Sequence, residues 1–232
     1  MARESTQEAL IRERVMAILR VERGDLAVPV AVALHAGGIA CLEVALTTPG
    51  ALEAMDELNR RLPDLHLGAG TVCTTAEVEA SARAGARFIV TPVTLPELVD
   101  AAHAHDMAVA MGAFSPTEIH TADRAGADLI KLFPAASVGP DYLRAVRAPF
   151  PRLRLVPTGG VGLHNASDWL AAGAVALGVG GALTDASAIT DGRYDELTDR
   201  ARRLLARIAP FRAGGGGGSG GGESDPPSSP HP

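Results

Sequence analysis

AGADLIKLFP, residues 125–134, joins a helix end to a buried strand: Ala125-Gly126 closes the helical stretch SPTEIHTADRAG, and LIKLFP is an apolar run of strand length. The same junction recurs along the chain. Ala36-Gly37, Ala84-Gly85 and Ala171 to Gly173 each stand between a helical stretch and another short apolar run: CLEVAL from Cys41, FIVTP from Phe88 and VALGVG from Val175. Four further runs, VMAILR from Val15, HLGAGTV from His66, MAVAMG from Met107 and LRLVPTGG from Leu153, bring the set to eight. The segments between them, such as GALEAMDELNRRL and TAEVEASARAG, mix polar and apolar residues as amphipathic helices do and begin with Ser, Thr or Gly in the capping region. Eight strand–helix units in about 200 residues predict an α/β fold, a single (β/α)8 TIM barrel. A doubly wound open sheet usually has fewer strands and a G-x-G-x-x-G turn after its first strand, and that turn is absent here.

Composition agrees with one barrel. Of 232 residues, 47% are hydrophobic but only 3% aromatic, so a core of Ala, Val, Leu and Ile on a parallel sheet is expected. The barrel domain is predicted over residues 1–212. Residues 213–232, AGGGGGSGGGESDPPSSPHP, have too little apolar surface to repay ordering and are predicted to be a disordered tail. The net charge of -6, with basic residues spread singly, argues against nucleic acid as a partner. Cys41 and Cys73 are too few for a disulfide framework, and the N-terminal MARESTQEALIRER lacks the apolar run of a signal peptide. No apolar segment approaches the roughly 20 residues that span a bilayer. A soluble, cytoplasmic protein with no membrane partner is expected.

In such a barrel the active site lies at the C-terminal ends of the strands. Strand alternation puts Leu129, Lys131 and Phe133 on one face of LIKLFP, so Lys131 is expected to point into the barrel. Burial disfavours an ammonium ion, and a free amine is what imine formation with a ketone requires. The plainer reading is a lysine at a strand's open end, paired with a carboxylate. Glu43 shares its face of CLEVAL with Cys41 and Ala45 and is expected to point inward too, where it can pair with Lys131 and move protons; the plainer reading there is a structural ion pair. Arg20, ending VMAILR, offers a fork of donors for a carboxylate or phosphate, or is merely solvated. GAGTV, residues 68–72, brings backbone and the Thr71 hydroxyl close to a ligand, while Pro92 and Phe133 can form apolar walls. PTGGV (157–161) and GVGG (178–181) follow the seventh and eighth strands, where paired glycines let backbone N–H groups converge on a phosphate.

Other features read as structural. His103 and His105 fall at a helix end with no Asp or Glu spaced to complete a metal site, and are expected to be a surface pair. Cys41 reads as core, Cys73 as a loop thiol, and Trp169 as helix packing.

AILR, LEVALTTP, GAGTV, IVTP, IKLFPA, VGP and VPTGGV, in this order and at barrel spacing, resemble the family of 2-keto-3-deoxy-6-phosphogluconate aldolases, over roughly Val15 to Leu183. The resemblance implies a lyase: a class I aldolase, independent of metals and cofactors, that interconverts a keto sugar-acid phosphate with pyruvate and glyceraldehyde 3-phosphate. It implies Lys131 as the Schiff-base lysine and Glu43 as general acid/base. It further implies Arg20 and Thr71 on the pyruvate carboxylate, Pro92, Phe133 and Thr158 lining the pyruvate pocket, Gly159, Gly160, Gly180 and Gly181 at the phosphate, and a homotrimer.

Three positions depart from the family's common pattern. Thr47, grouped with the substrate-binding residues, stands where some members have an arginine, which shifts carboxylate binding toward Arg20. A serine usual in the eighth-strand loop is missing from GVGGAL, which implies weaker phosphate affinity or a different substrate. The fifth strand ends in MGAF in place of a proline-glycine pair, so Met111 is expected to reshape the pocket. Competing readings are a same-family aldolase for the galactonate epimer or for 4-hydroxy-2-oxoglutarate, a phosphosugar isomerase or epimerase on the same barrel, and a non-catalytic scaffold.

Overall fold

The structure, a computed structural model, describes residues 2–212. The tail predicted over residues 213–232 lies outside the described residues. Helices α1 (Ala2–Glu13) and α2 (Ala27–Ala36) flank strand β1 (Val15–Leu19); β2 (Cys41–Ala45), α3 (Ala51–Arg61), β3 (His66–Gly70), α4 (Thr75–Arg83), β4 (Phe88–Val90) and α5 (Glu97–His103) follow. The second half runs β5 (Ala108–Ala113), α6 (Pro116–Arg124), β6 (Leu129–Leu132), α7 (Gly139–Arg147), β7 (Leu155–Pro157), α8 (Ala166–Ala171), β8 (Leu177–Val179), α9 (Ala186–Thr190) and α10 (Tyr194–Arg212). All eight strands pair in parallel in the order β7-β6-β5-β4-β3-β2-β1-β8. A parallel bridge between Thr158 and Gly178 closes β7 onto β8. The eight predicted runs are the eight strands, and the strands stop one to three residues before the runs do at the C-terminal mouth, except β5, which continues to Ala113.

Side chains divide as alternation requires. Leu42, Val44, Ile130 and Leu132 face the helices in the outer core, with Leu19, Leu67, Ile89 and Val109. Inside the barrel, Met16, Cys41, Phe88, Val90, Ala108, Ala110, Leu129 and Val156 form a second cluster. Large and small residues interlock there: a Cβ at Gly68 would fall 2.3 Å from the Phe88 ring, so the absent side chain on β3 is the space that ring fills.

The sequence reading did not anticipate α1 as a barrel element. Its Ala9 and Leu10, each 1% exposed, join the inner cluster and plug the N-terminal mouth. Helix starts follow the predicted capping chemistry most clearly at α4 and α6, where Thr74 with Glu77 and Ser115 with Glu118 form capping boxes.

Candidate active site

Two charged side chains stand inside an otherwise apolar barrel. Lys131, 6% exposed, comes from the centre of β6, with Gly112 of β5 and Val156 of β7 as its register partners. Glu43 comes from the centre of β2 and is fully buried. Glycines make the room for it: a Cβ at Gly70 would sit 1.9 Å from Glu43 Oε1. Neither carboxylate oxygen of Glu43 has a hydrogen-bond partner among the described residues. Burial therefore pushes its pKa above the ordinary carboxylate range, with the charges of Lys131 and Arg20 pulling in the opposite direction. The direct Glu43–Lys131 pairing admitted by the sequence does not form; the two interact through space. The Lys131 ammonium instead lies 5.3 Å from the centroid of the Phe133 ring. Lys131 is also the only lysine of the chain, against twenty arginines, a signal that a reading strand by strand passes over.

Above these groups opens a cavity of about 710 Å³ lined by Lys131, Arg20, Thr71, Pro92, Phe133 and Thr158, with Gly159, Gly160, Gly180 and Gly181 on one side. Every predicted binding residue but Thr47 is thus gathered at one mouth. Arg20 Nη2 donates to Thr71 Oγ1 at 3.3 Å, joining the ends of β1 and β3. Thr71 holds φ +61°, a left-handed conformation that is costly for a β-branched residue and that clusters at functional sites. Gly159 and Gly160 have φ +87° and +76°, values that the bare glycine backbone accepts without strain. A side chain at Gly160 would also strike the Ala136 methyl at 2.5 Å. The N–H groups of Gly160, Val161, Gly181 and Ala182 donate to no acceptor among the described residues, so both loops present open donors.

Two expectations, for Met111 and His103, are corrected, and one candidate falls outside the cavity. Thr47 is exposed and lines a neighbouring pocket of about 610 Å³, which shares only Arg20 and Thr184 with the lysine's cavity. Met111 faces the helices in the outer core, because Ala110 and Gly112 take the inward positions of β5; it does not shape the pocket. His103 is not a bare surface residue: its Nε2 lies 2.9 Å from Asp128 Oδ2, while His105 is exposed. Among the described residues no group of three or more His, Cys, Asp or Glu is placed to hold a metal ion. Cys41 is buried and its thiol is pushed up to about 12 by burial, whereas Cys73 is exposed. Trp169 is core, at 2% exposure. The cavity also takes in Ile18, His164 and Thr184, which the sequence reading did not single out; His164 and Thr184 follow the two glycine loops in sequence, the signal by which they could have been found.

A family model described as KDPG and KHG aldolase matches residues 6–200. The 2-dehydro-3-deoxy-phosphogluconate aldolase of Pseudomonas aeruginosa is 38% identical over 208 residues, covering 88% of this chain and 94% of its own length. The enzyme of the same name from Treponema pallidum is 36% identical over 199 residues, covering 85% and 95%. Among solved structures, the KDPG aldolase of Legionella pneumophila, with pyruvate captured at low pH as a covalent carbinolamine intermediate, superposes with a TM-score of 0.80 at 30% identity, covering 86% of this chain and 97% of that one. The isomerase, epimerase and scaffold readings draw no support from these matches. By its sequence, by its barrel and by the inward lysine of the sixth strand, the chain belongs to the KDPG and KHG aldolase family.

Proposed function

We propose that the chain is a class I aldolase that cleaves 2-keto-3-deoxy-6-phosphogluconate to pyruvate and glyceraldehyde 3-phosphate through an imine at Lys131. The observation that carries this reading is that the chain's only lysine lines the cavity and interacts through space with a fully buried glutamate that has no hydrogen-bond partner among the described residues. The Lys131 amine adds to the C2 ketone, and Glu43, whose hold on a proton is strengthened by burial, gives the proton with which the carbinolamine hydroxyl leaves as water. The imine then accepts the electron pair of the C3–C4 bond as that bond breaks. Glu43, directly or through one water, takes the proton of the C4 hydroxyl, and the aldehyde departs. Protonation of the enamine at C3 and addition of water at C2 release pyruvate and restore the amine. The carbinolamine captured with pyruvate in the Legionella pneumophila relative supports the first step.

In this reading Arg20 and Thr71 hold the keto-acid carboxylate, Pro92, Phe133 and Thr158 wall the pyruvate moiety, and Gly159, Gly160, Gly180 and Gly181 turn their loops toward the phosphate. Incubation with pyruvate and sodium borohydride tests it. Peptide mass spectrometry is expected to find an irreversible pyruvyl adduct on Lys131 and none in Lys131→Ala, and folded wild-type protein without an adduct would sink the reading. The single lysine makes the assignment sharp, since only the N-terminal amine competes.

The enzyme works in the cytoplasm, a reading that the two free thiols support; no helix among the described residues is long and apolar enough to cross a membrane. It assembles as a homotrimer. Val93 and Phe114, 54% and 37% exposed at the ends of adjacent strands β4 and β5, supply apolar surface for subunit contact. Sedimentation equilibrium should return three times the 23.8 kDa chain mass, and a monomer mass at micromolar protein would refute the assembly.

A further inference from the structure

We infer that His164 is the specificity-determining residue for the substrate's phosphate, donating from its imidazole to the phosphate oxygens at the seam of the two glycine loops; this rests on the aldolase reading above. His164 lies in the turn between β7 and α8 and lines the catalytic cavity. A Cβ built on Gly162 would stand 3.6 Å from His164 Nδ1 and 3.0 Å from the Ala182 methyl, so the imidazole borders the place where the β7 and β8 loops touch. His164 is exposed, and its ring makes no hydrogen bond or ion pair with any described residue, so its donors are not committed within the fold.

The charge count of the cavity gives this residue its role. Of the residues that line the cavity, only Arg20, Lys131 and His164 carry ionisable cationic groups. Lys131 is taken by the imine, and Arg20 is turned to Thr71 at the end of β3. The glycine loops offer backbone N–H groups, which are neutral donors, and the side chain of the β8 loop at the seam, Ala182, is a methyl. A phosphate monoester there meets one side chain able to carry positive charge. An imidazole supplies one N–H when neutral and two when protonated, and a charge-assisted bond to phosphate is about twice as strong as a neutral one. The Thr184 hydroxyl, on the same wall, adds a neutral donor.

The test measures phosphate recognition in two ways. Calorimetry with glycerol 3-phosphate as the probe is expected to show binding weakened about tenfold in His164→Ala, the loss of one charge-assisted hydrogen bond. In the condensation of pyruvate with aldehydes, the preference in kcat/KM for glyceraldehyde 3-phosphate over glyceraldehyde is expected to fall by about the same factor. Equal losses for both aldehydes, as a merely structural role produces, or unchanged glycerol 3-phosphate affinity would overturn the inference. A wild-type protein that binds glycerol 3-phosphate through His164 but forms no pyruvate adduct would instead overturn the aldolase reading and leave the phosphate site standing.

Discussion

At the N-terminal mouth of the barrel, Asp128 accepts from the Val109 N–H and lies against His103 Nε2, both at 2.9 Å, with Arg3 Nε 3.7 Å away. Glu13 pairs with Arg12 and Arg212, and Arg14 donates to the carbonyls of Val175 and Phe211. Ala9 and Leu10 seal the opening from below. At the C-terminal mouth the opposite holds. Glu43 is buried with both oxygens unpartnered, Lys131 has no ion pair among the described residues, Thr71 keeps a strained backbone, and the glycine loops hold N–H groups open. The N-terminal end of the sheet pairs its acidic groups, although His66 Nδ1 stays unpartnered there, whereas the C-terminal end withholds partners from both oxygens of its buried carboxyl. A chain folding for stability alone would not keep a buried carboxyl group without hydrogen-bond partners, since a buried polar group left unsatisfied costs about 1–3 kcal/mol. On the aldolase reading proposed above, the deficit is where a substrate would complete the contacts.

The comparison breaks most visibly if Glu43→Gln is harmless to turnover. The glutamine side chain has nearly the same shape but no proton to exchange, and kcat in aldol cleavage is expected to fall by about 10²- to 10⁴-fold. At the other mouth, Leu10→Ala removes buried apolar volume far from the cavity. It is expected to cost about 2–5 kcal/mol of stability and to leave turnover per folded molecule at 25 °C as in the wild type. Denaturant unfolding and steady-state kinetics on the same sample check it, and a catalytic defect without a stability defect would dissolve the division between the two ends.

The smallest effect sharpens the cause. Because burial raises the Glu43 pKa in the folded state, the folded protein binds more protons than the unfolded chain above the ordinary carboxylate range, so this group's contribution to stability is lost as pH rises. Glu43→Gln has no such loss. The two proteins should melt close together near about pH 4 and separate toward about pH 8, with the glutamine variant the more stable. A gap that is constant with pH would mean that the Glu43 carboxyl is not shifted on folding.

Most of the architecture was legible without coordinates because it rests on local geometry. The two-residue period of a strand sends Glu43 and Lys131 to one side and Leu42, Val44, Ile130 and Leu132 to the other, and the Ala-Gly helix ends divide the chain into units. The same period, applied to β5, would have turned Met111 away from the pocket; the expectation for it followed the family's usual proline-glycine pair instead of the alternation. The polar α1 gave no strand or core signal, since only Thr6, Ala9 and Leu10 of its residues are buried.

What the amino-acid sequence determined by itself is therefore the count of strand–helix units, the inward aim of the two charged residues and the glycine loops, all consequences of covalent geometry acting over a few residues. The tertiary structure alone decided that α1 plugs one mouth, that Thr47 opens onto a neighbouring pocket, that Asp128 meets His103 across 25 positions, and that Lys131 lines the cavity while Glu43 is buried without touching it. These relations join residues far apart in the chain, and their distances are set by how the barrel closes and how its helices pack, which no local period encodes.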